Sequence, residues 1–220
     1  MQIDSQVADL SFSAGIVVAE DVLVGPTPDA LKDLLDGLVR RRSAEDFPPP
    51  AVKDAVRRLL KRGGFKPSGR NKPASEYLAQ AAREGRFPRI NNLVDINNLL
   101  SLETGLPISL LDLAAFGGKA SLRCGQPSEK YIFNSAGQEI DLEGLICACS
   151  AEDAPLGNPV KDSMAGKLKT ETTGVLGVIY APLDCEAGKN LAASTERFGQ
   201  LLKEFGGAAK AMTFTIPPAA

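Results

Sequence analysis

The spacing of apolar residues changes near the middle of the chain. An opening run, SFSAGIVVAEDVLVG from Ser11 to Gly25, is Val-rich and predicts one or two strands. Thr27-Pro28-Asp29 then predicts a helix start, with a hydroxyl cap, Pro at the first helical position and an acid in the first turn, and the helix runs to about Arg42. The run Pro48 to Pro50 starts a second helix, PPPAVKDAVRRLLKRGG, which Gly63-Gly64 stops. SGRNKPASEYLAQAAREG reads as a loop and a short helix capped by Ser75 and ended by Gly85. INNLVDINNLLSLETG keeps helical spacing until Gly105 and Pro107. Beyond that point the segments KASLRC, KYIFN, QEIDL and LICACS are short and bounded by Gly, Pro, Asn and Ser, as strands of an antiparallel sheet are. Gly174 to Pro182 predicts a buried strand, Asn190 to Phe205 a closing helix, and AMTFTIP a last strand. Helices and strands are segregated, so the predicted class is α+β: a mixed, largely antiparallel β core with flanking helices. One domain over residues 1–220 is expected, with residues 1–52 packed on it as a strand-helix portion.

One stretch resists the apolar pattern. Two Asn pairs, Asn91-Asn92 and Asn97-Asn98, sit inside an otherwise apolar helix. Asn competes for backbone hydrogen bonds in a helix, and a buried amide without partners costs free energy. The amides, with Asp95, are expected to tie the helix to neighbouring loops through side-chain to backbone bonds, and to hold the turn from Gly105 to Asp112.

Composition narrows the chemistry. The 220 residues hold no His and no Trp. A Ser-His-Asp triad, a Cys-His dyad and a His-based zinc hydrolase are therefore excluded. The four cysteines, Cys124, Cys147, Cys149 and Cys185, lack the spacing of paired zinc ligands; a four-thiolate site and small core residues are both open readings, and no metal or cofactor is expected. No apolar run is long enough for a membrane span and the N-terminus has no basic leader, so the expected compartment is the cytoplasm. Charge is unevenly spread. Lys53 to Arg89 carries eleven basic and three acidic residues, a net of +8, while the rest carries 14 and 24, a net of −10. That asymmetry predicts either a polyanion-facing surface or a solvated helix face. The loop GGFKPSGRNKPASEYL adds Tyr77 and Phe65 to its cations, a combination suited to phosphate contact and base stacking.

The stretch PRINNLVDINNLLSLETGLPISLLDL, from Pro88 to Leu113, resembles the B3/B4 domain of the bacterial phenylalanyl-tRNA synthetase β subunit. The matching residues are Arg89, Asn91, Asn92, Val94, Asp95, Asn98, Gly105, Pro107 and Asp112, in a pattern of the form R-x-N-N-x-V-D-x-x-N. The likeness extends more loosely to about Pro182. It implies a free-standing B3/B4 protein that edits, hydrolysing the ester of a mischarged aminoacyl-tRNA with tyrosine as the wrong amino acid. Its partner is then the aminoacylated 3′ end of a tRNA, bound through Arg57, Arg58, Arg62, Lys66, Arg70 and Lys72. Where the family carries a pocket histidine this chain has Ser109, which can bond a water but cannot serve as a base near neutral pH. Asp162 lies near the family's tyrosine-binding glutamate; it is expected, with Ser163 and Asn98, to bind substrate, or alternatively to be a turn residue. Ser109 and Thr172 are the expected catalytic hydroxyls, Thr172 alternatively a plain strand-entry residue. Two other readings stay open: an RNA or amino-acid-like ligand binder without catalysis, and a hydrolase of another amino acid ester.

Overall fold

The opening Val-rich run shows no alternation because both of its faces are covered. In the computed structural model, which describes residues 1–9 and 11–218 apart from the side chains of Arg62 and Arg70, a short strand β1 (Gln2–Ser5) precedes β2 (Phe12–Glu20), and β2 is buried throughout except at Glu20. Four helices follow: α1 (Asp29–Ser43), α2 (Pro50–Arg62), α3 (Ala74–Arg83) and α4 (Asn92–Thr104). Then come β3 (Ile108–Asp112), β4 (Lys119–Cys124), β5 (Lys130–Ile132), β6 (Glu139–Asp141), β7 (Ile146–Cys149), β8 (Pro155–Gly157) and β9 (Gly174–Pro182). A single-turn helix α5 (Glu186–Lys189), the long α6 (Leu191–Phe205) and β10 (Lys210–Ile216) close the chain.

β2 and β9 pair antiparallel at the centre of a sheet ordered β10-β2-β9-β3, and a second sheet is ordered β1-β4-β7-β8. Only the β1–β4 pair is parallel among these strand pairs, and β5–β6 forms a separate hairpin. The class is therefore α+β with a mixed, largely antiparallel core. Alternate residues of β2 and β9 serve two layers. Val17, Ala19, Val175 and Ile179 share one apolar cluster with Leu93, Ile96 and Phe198 of α4 and α6. Ile16, Val18, Leu176 and Val178 share another with Leu122, Ala148 and Leu156 of the second sheet. Helices, central sheet and second sheet thus form three layers. α6 comes close to the central sheet because Gly15 and Gly177 leave room: a Cβ at Gly15 would collide with Thr195, and one at Gly177 with the Phe198 ring.

The Asn pairs resolve into a set of ties. Asn91 caps α4, its side chain accepting from Val94 N at 2.9 Å. Asn92 accepts from Gly25 N and donates to Leu23 O and Phe205 O, joining three segments at 2.8–3.0 Å. Asp95 accepts from Thr27 Oγ1 at 2.8 Å and from Ile90 N at 3.1 Å. Gly105 ends the helix at φ 78°, a left-handed conformation that favours glycine.

Several local expectations change. The Thr27 hydroxyl is spent on Asp95, and Pro28 occupies the cap position of α1 without a side-chain cap bond. Pro73, not Ser75, precedes α3; Ser75 is inside the helix with its buried Oγ unpartnered. The segment expected as a turn from Gly105 to Asp112 is largely the strand β3, recruited by pairing with β9 from Ile108 to Asp112. β1 and β8, too short to show a period, are additional strands. No helix among the described residues is long and apolar enough to cross a membrane.

Candidate functional site

β3 is the edge strand of the central sheet, and its period of two sends neighbouring residues to opposite sides. Ile108 and Leu110 line a cavity of about 1,080 Å³ that α3, α4 and the segment after β8 enclose. Ser109 points the other way, fully buried. The α4 wall of the cavity presents Asn91, Val94, Asn97 and Asn98, a helical face of amides. Across from it stand Lys161, Asp162 and Lys167.

Asp162 reaches the cavity because Asn158 bends the chain beneath it. Asn158 Oδ1 accepts from Val160 N at 2.7 Å and Lys161 N at 3.0 Å, and its amide donates to Tyr131 Oη at 2.6 Å. Tyr131 in turn donates to Lys161 O at 2.5 Å. Asp162 Oδ1 accepts from Ser109 Oγ at 2.6 Å, and Ser109 lies 3.2 Å from Tyr180 Oη. Burial pushes both phenols well above their ordinary range, so they stay protonated. With Asp162 ionised the direction of the chain follows, because Ser109 has one hydrogen and gives it to the carboxylate: Tyr180 donates to Ser109, which donates to Asp162. Gly157 allows this packing, since a Cβ there would lie 2.7 Å from Asp162 Oδ1. Burial also raises the Asp162 carboxyl from 3.8 to about 7, against the opposing pull of Ser109, the Asn158 backbone and Lys167. A carboxyl that changes charge near neutral pH is thereby placed against the cavity of a protein without histidine.

The structure brings some of the expected residues together and separates others. Asp162 and Asn98 line the same cavity; among the described residues Asn98 makes no side-chain hydrogen bond. Ser109 lies behind Asp162, able to orient it but not among the lining residues. Thr172 is away from the cavity lining, its buried hydroxyl donating to Asp112 Oδ2 at 2.9 Å and accepting from Lys169 N. Ser163 is also buried in its turn, accepting from Gly166 N at 3.0 Å. Of the expected RNA contacts, Lys72 lines the cavity, with Nζ donating to Gln80 Oε1 at 2.9 Å. Arg57 grips Glu76 with two bonds of 2.7 Å, and Arg58 holds Asp184 at 2.8 Å. Lys66 is exposed, and the side chains of Arg62 and Arg70 lie outside the described residues.

Asn97, noted in the sequence as part of an Asn pair but given no place in the site, lines the cavity, and its Oδ1 is buried without a partner among the described residues. Tyr180 and Tyr131 also escaped the motif reading. A Tyr where Phe would suffice in a buried strand needs a partner for its hydroxyl, and that was the available signal. Cys147 and Cys149 are buried side chains of β7 on one face of the strand; burial pushes the Cys149 thiol up to about 12 and Cys147 well up, so neither is a thiolate near pH 7. Among the described residues no group of three His, Cys, Asp or Glu is arranged to hold a metal ion.

A sequence profile of the B3/4 domain matches residues 56–184, and the chain belongs to that family. The phenylalanine–tRNA ligase beta subunit of Zymomonas mobilis is 32% identical over 107 residues, covering 49% of this chain and 13% of that protein. The chain therefore matches only a small part of its curated relative. An N-terminal fragment of the phenylalanyl-tRNA synthetase β subunit from Pyrococcus horikoshii superposes over 98% of this chain and 54% of its own, with TM-score 0.46 and 12% identity.

Proposed function

We propose that the cavity receives the aminoacylated 3′ end of a tRNA and hydrolyses the ester of a wrong amino acid, acting in trans. The single observation that carries this reading is Asp162: a carboxyl bonded by Ser109, which Tyr180 contacts in turn, on a residue that lines an amide-walled cavity. The kinship to a tRNA ligase subunit supports an aminoacyl-tRNA as the substrate.

An aminoacyl ester is already activated, so its hydrolysis asks for a placed water and help for the developing oxyanion. The Asn98 amide, unengaged among the described residues, is a neutral donor available to that oxyanion. Asp162 accepts a hydrogen bond from the polar end of the wrong side chain, such as the tyrosine hydroxyl. Ionised, it does so with a charge-assisted bond. A site built to bond a hydroxyl rejects the analogue lacking it by ~10⁴ or more, because its own polar group is then left unpaired. Ser109 and Thr172 act by positioning, Ser109 on Asp162 and Thr172 on Asp112 at the end of β3.

Incubation of the protein with a panel of mischarged tRNAs tests this. Multiple-turnover release of tyrosine from Tyr-tRNA, with Phe-tRNA spared, is the expected outcome. Asp162→Ala should erase most of that preference, and in the wild type the preference should weaken as pH falls below about 7, where the carboxyl protonates. Equal turnover of Tyr-tRNA by the variant would remove Asp162 from the reading. The burial of both candidate hydroxyls favours one second reading, a binder without catalysis; a mobility shift without release would select it.

A further inference from the structure

The mouth of the main cavity carries an exposed aromatic side chain with a cation beside it. Tyr77 of α3 lines the cavity and is 49% exposed. The Arg86 guanidinium lies 5.5 Å from the centre of its ring, and Arg86 Nη1 is 3.5 Å from Tyr77 Oη. Arg86 lines the same cavity and also pairs with Glu84. Ile90, 65% exposed, lines the same cavity from the segment leading into α4. A half-exposed tyrosine and a largely exposed isoleucine therefore line one cavity, apolar surface available to an entering ligand.

Charge around this rim is positive. Lys72 lines the cavity beside Gln80, its ammonium bonded to an amide, which does not cancel its charge. A smaller cavity of about 390 Å³ shares Lys72 and Gln80 with the main one and continues between α2 and α3. Its lining includes Lys53, Arg57 and Arg83 against Glu45, Asp46 and Glu76. Arg57 takes up Glu76, and Arg42 takes up Glu45 at 2.5 Å, so Lys53, Lys72 and Arg83 outnumber the acid that remains. A path thus runs from the large cavity over the Lys72–Gln80 ridge into a second, cationic hollow.

We infer that the Tyr77 ring is the stacking platform for the base of an unpaired 3′-terminal nucleotide, whose strand continues over Lys72 toward Lys53. This rests on the reading of the cavity as a site for a charged RNA end and names the nucleotide contact that reading lacks. It moves the RNA contact from the α2 arginines Arg57 and Arg58, which are engaged by Glu76 and Asp184, to the rim of α3. A π-face stacks with any base, and the phosphates meet lysine rather than a second carboxylate.

The probe is an uncharged single-stranded RNA hexamer ending in CCA, with 2-aminopurine as the final base, whose fluorescence falls on stacking. Binding to the wild type should quench the probe. Tyr77→Phe should keep affinity and quenching, while Tyr77→Ala should weaken binding by about tenfold or more. Lys72→Gln should weaken binding and lower the salt dependence by about one phosphate contact. Tyr77 is half exposed, so circular dichroism of Tyr77→Ala is expected to match the wild type; Ile90→Ala at the opposite lip provides a second variant, expected to weaken quenching. Undiminished quenching and affinity in Tyr77→Ala would overturn the proposal, as would a hexamer bound without quenching by the wild type. Because the hexamer bears no ester, this result is separable from hydrolysis. Turnover of mischarged tRNA with no quenching sinks the platform alone; quenching with no turnover sinks the hydrolytic reading alone.

Discussion

Arg123 and Asp162 are both charged side chains drawn out of bulk water, and their surroundings differ. Arg123 on β4 is held by Glu129 through two bonds of 2.8 and 2.9 Å, by Asp153 Oδ1 at 2.7 Å, and by the carbonyls of Cys124 and Asp153. Its guanidinium is raised and Glu129 is lowered, both mainly by their mutual hydrogen bond. Asp162 has a hydroxyl, a backbone contact and a more distant lysine, and burial dominates its titration. One region satisfies its charge completely and fixes a fold. The other leaves a carboxyl and two nearby Asn side chains, Asn97 and Asn98, partly unsatisfied beside an open cavity. Buried polarity that is fully partnered reads as architecture; polarity left short of partners where a ligand can enter reads as a site.

The largest effect should come from breaking the saturated network. Arg123→Ala leaves Glu129 and the β4 surroundings without their cation and should cost about 3–5 kcal/mol in urea unfolding; a loss below 1 kcal/mol would mean the network is ornamental. Next, Asn92→Ala removes three bonds that join α4 to Leu23, Gly25 and Phe205, and should cost about 2–3 kcal/mol by the same measurement.

Asp162→Asn should behave in the opposite sense. Its carboxyl titrates near 3.8 when unfolded and at about 7 when folded, so between those values the folded state holds the extra proton. Wild-type stability is then fullest below about pH 4 from this group and falls as pH rises to about 7. The variant should lack that decline and gain on the order of 1–2 kcal/mol over the wild type at pH 8. Parallel pH–stability curves for the two proteins would show that Asp162 is as well solvated as an ordinary surface acid. The smallest effect is expected at Arg58→Ala, which breaks an exposed pair with Asp184; unfolding should change by less than about 1 kcal/mol. Its affinity for the RNA hexamer should also stay within about twofold, a separation from Tyr77→Ala that gel-shift titration can measure.

How legible the molecule is from its sequence varies by element. α4 was readable as a helix ended by Gly105, because its spacing and its stop are local, and its amides were readable as ties; the distant partners of Asn92 and Asp95, 67 to 113 residues away, and the cap at Asn91 came only from the structure. From their apolar runs β9 was readable as a buried strand and β2 as part of a Val-rich stretch of one or two strands. β1 and β8 were not, since three or four residues carry no period and are strands only because a neighbour pairs with them. In the site, Asp162 and Asn98 were reachable by alignment to a family pattern. The turning of Ser109 away from the cavity was not, although it follows from β3 being a strand rather than a turn.

The amino-acid order by itself set the α+β class, the absence of any histidine-based chemistry and the family, because periodicity, composition and motif spacing are local properties of the chain. The tertiary structure alone decided that Ser109 stands behind Asp162, that Tyr180 and Asn158 complete its support, and that Arg57 and Arg58 are already engaged. The reason is that a side chain's charge state and exposure depend on which distant segments pack around it, and no spacing along the sequence records that.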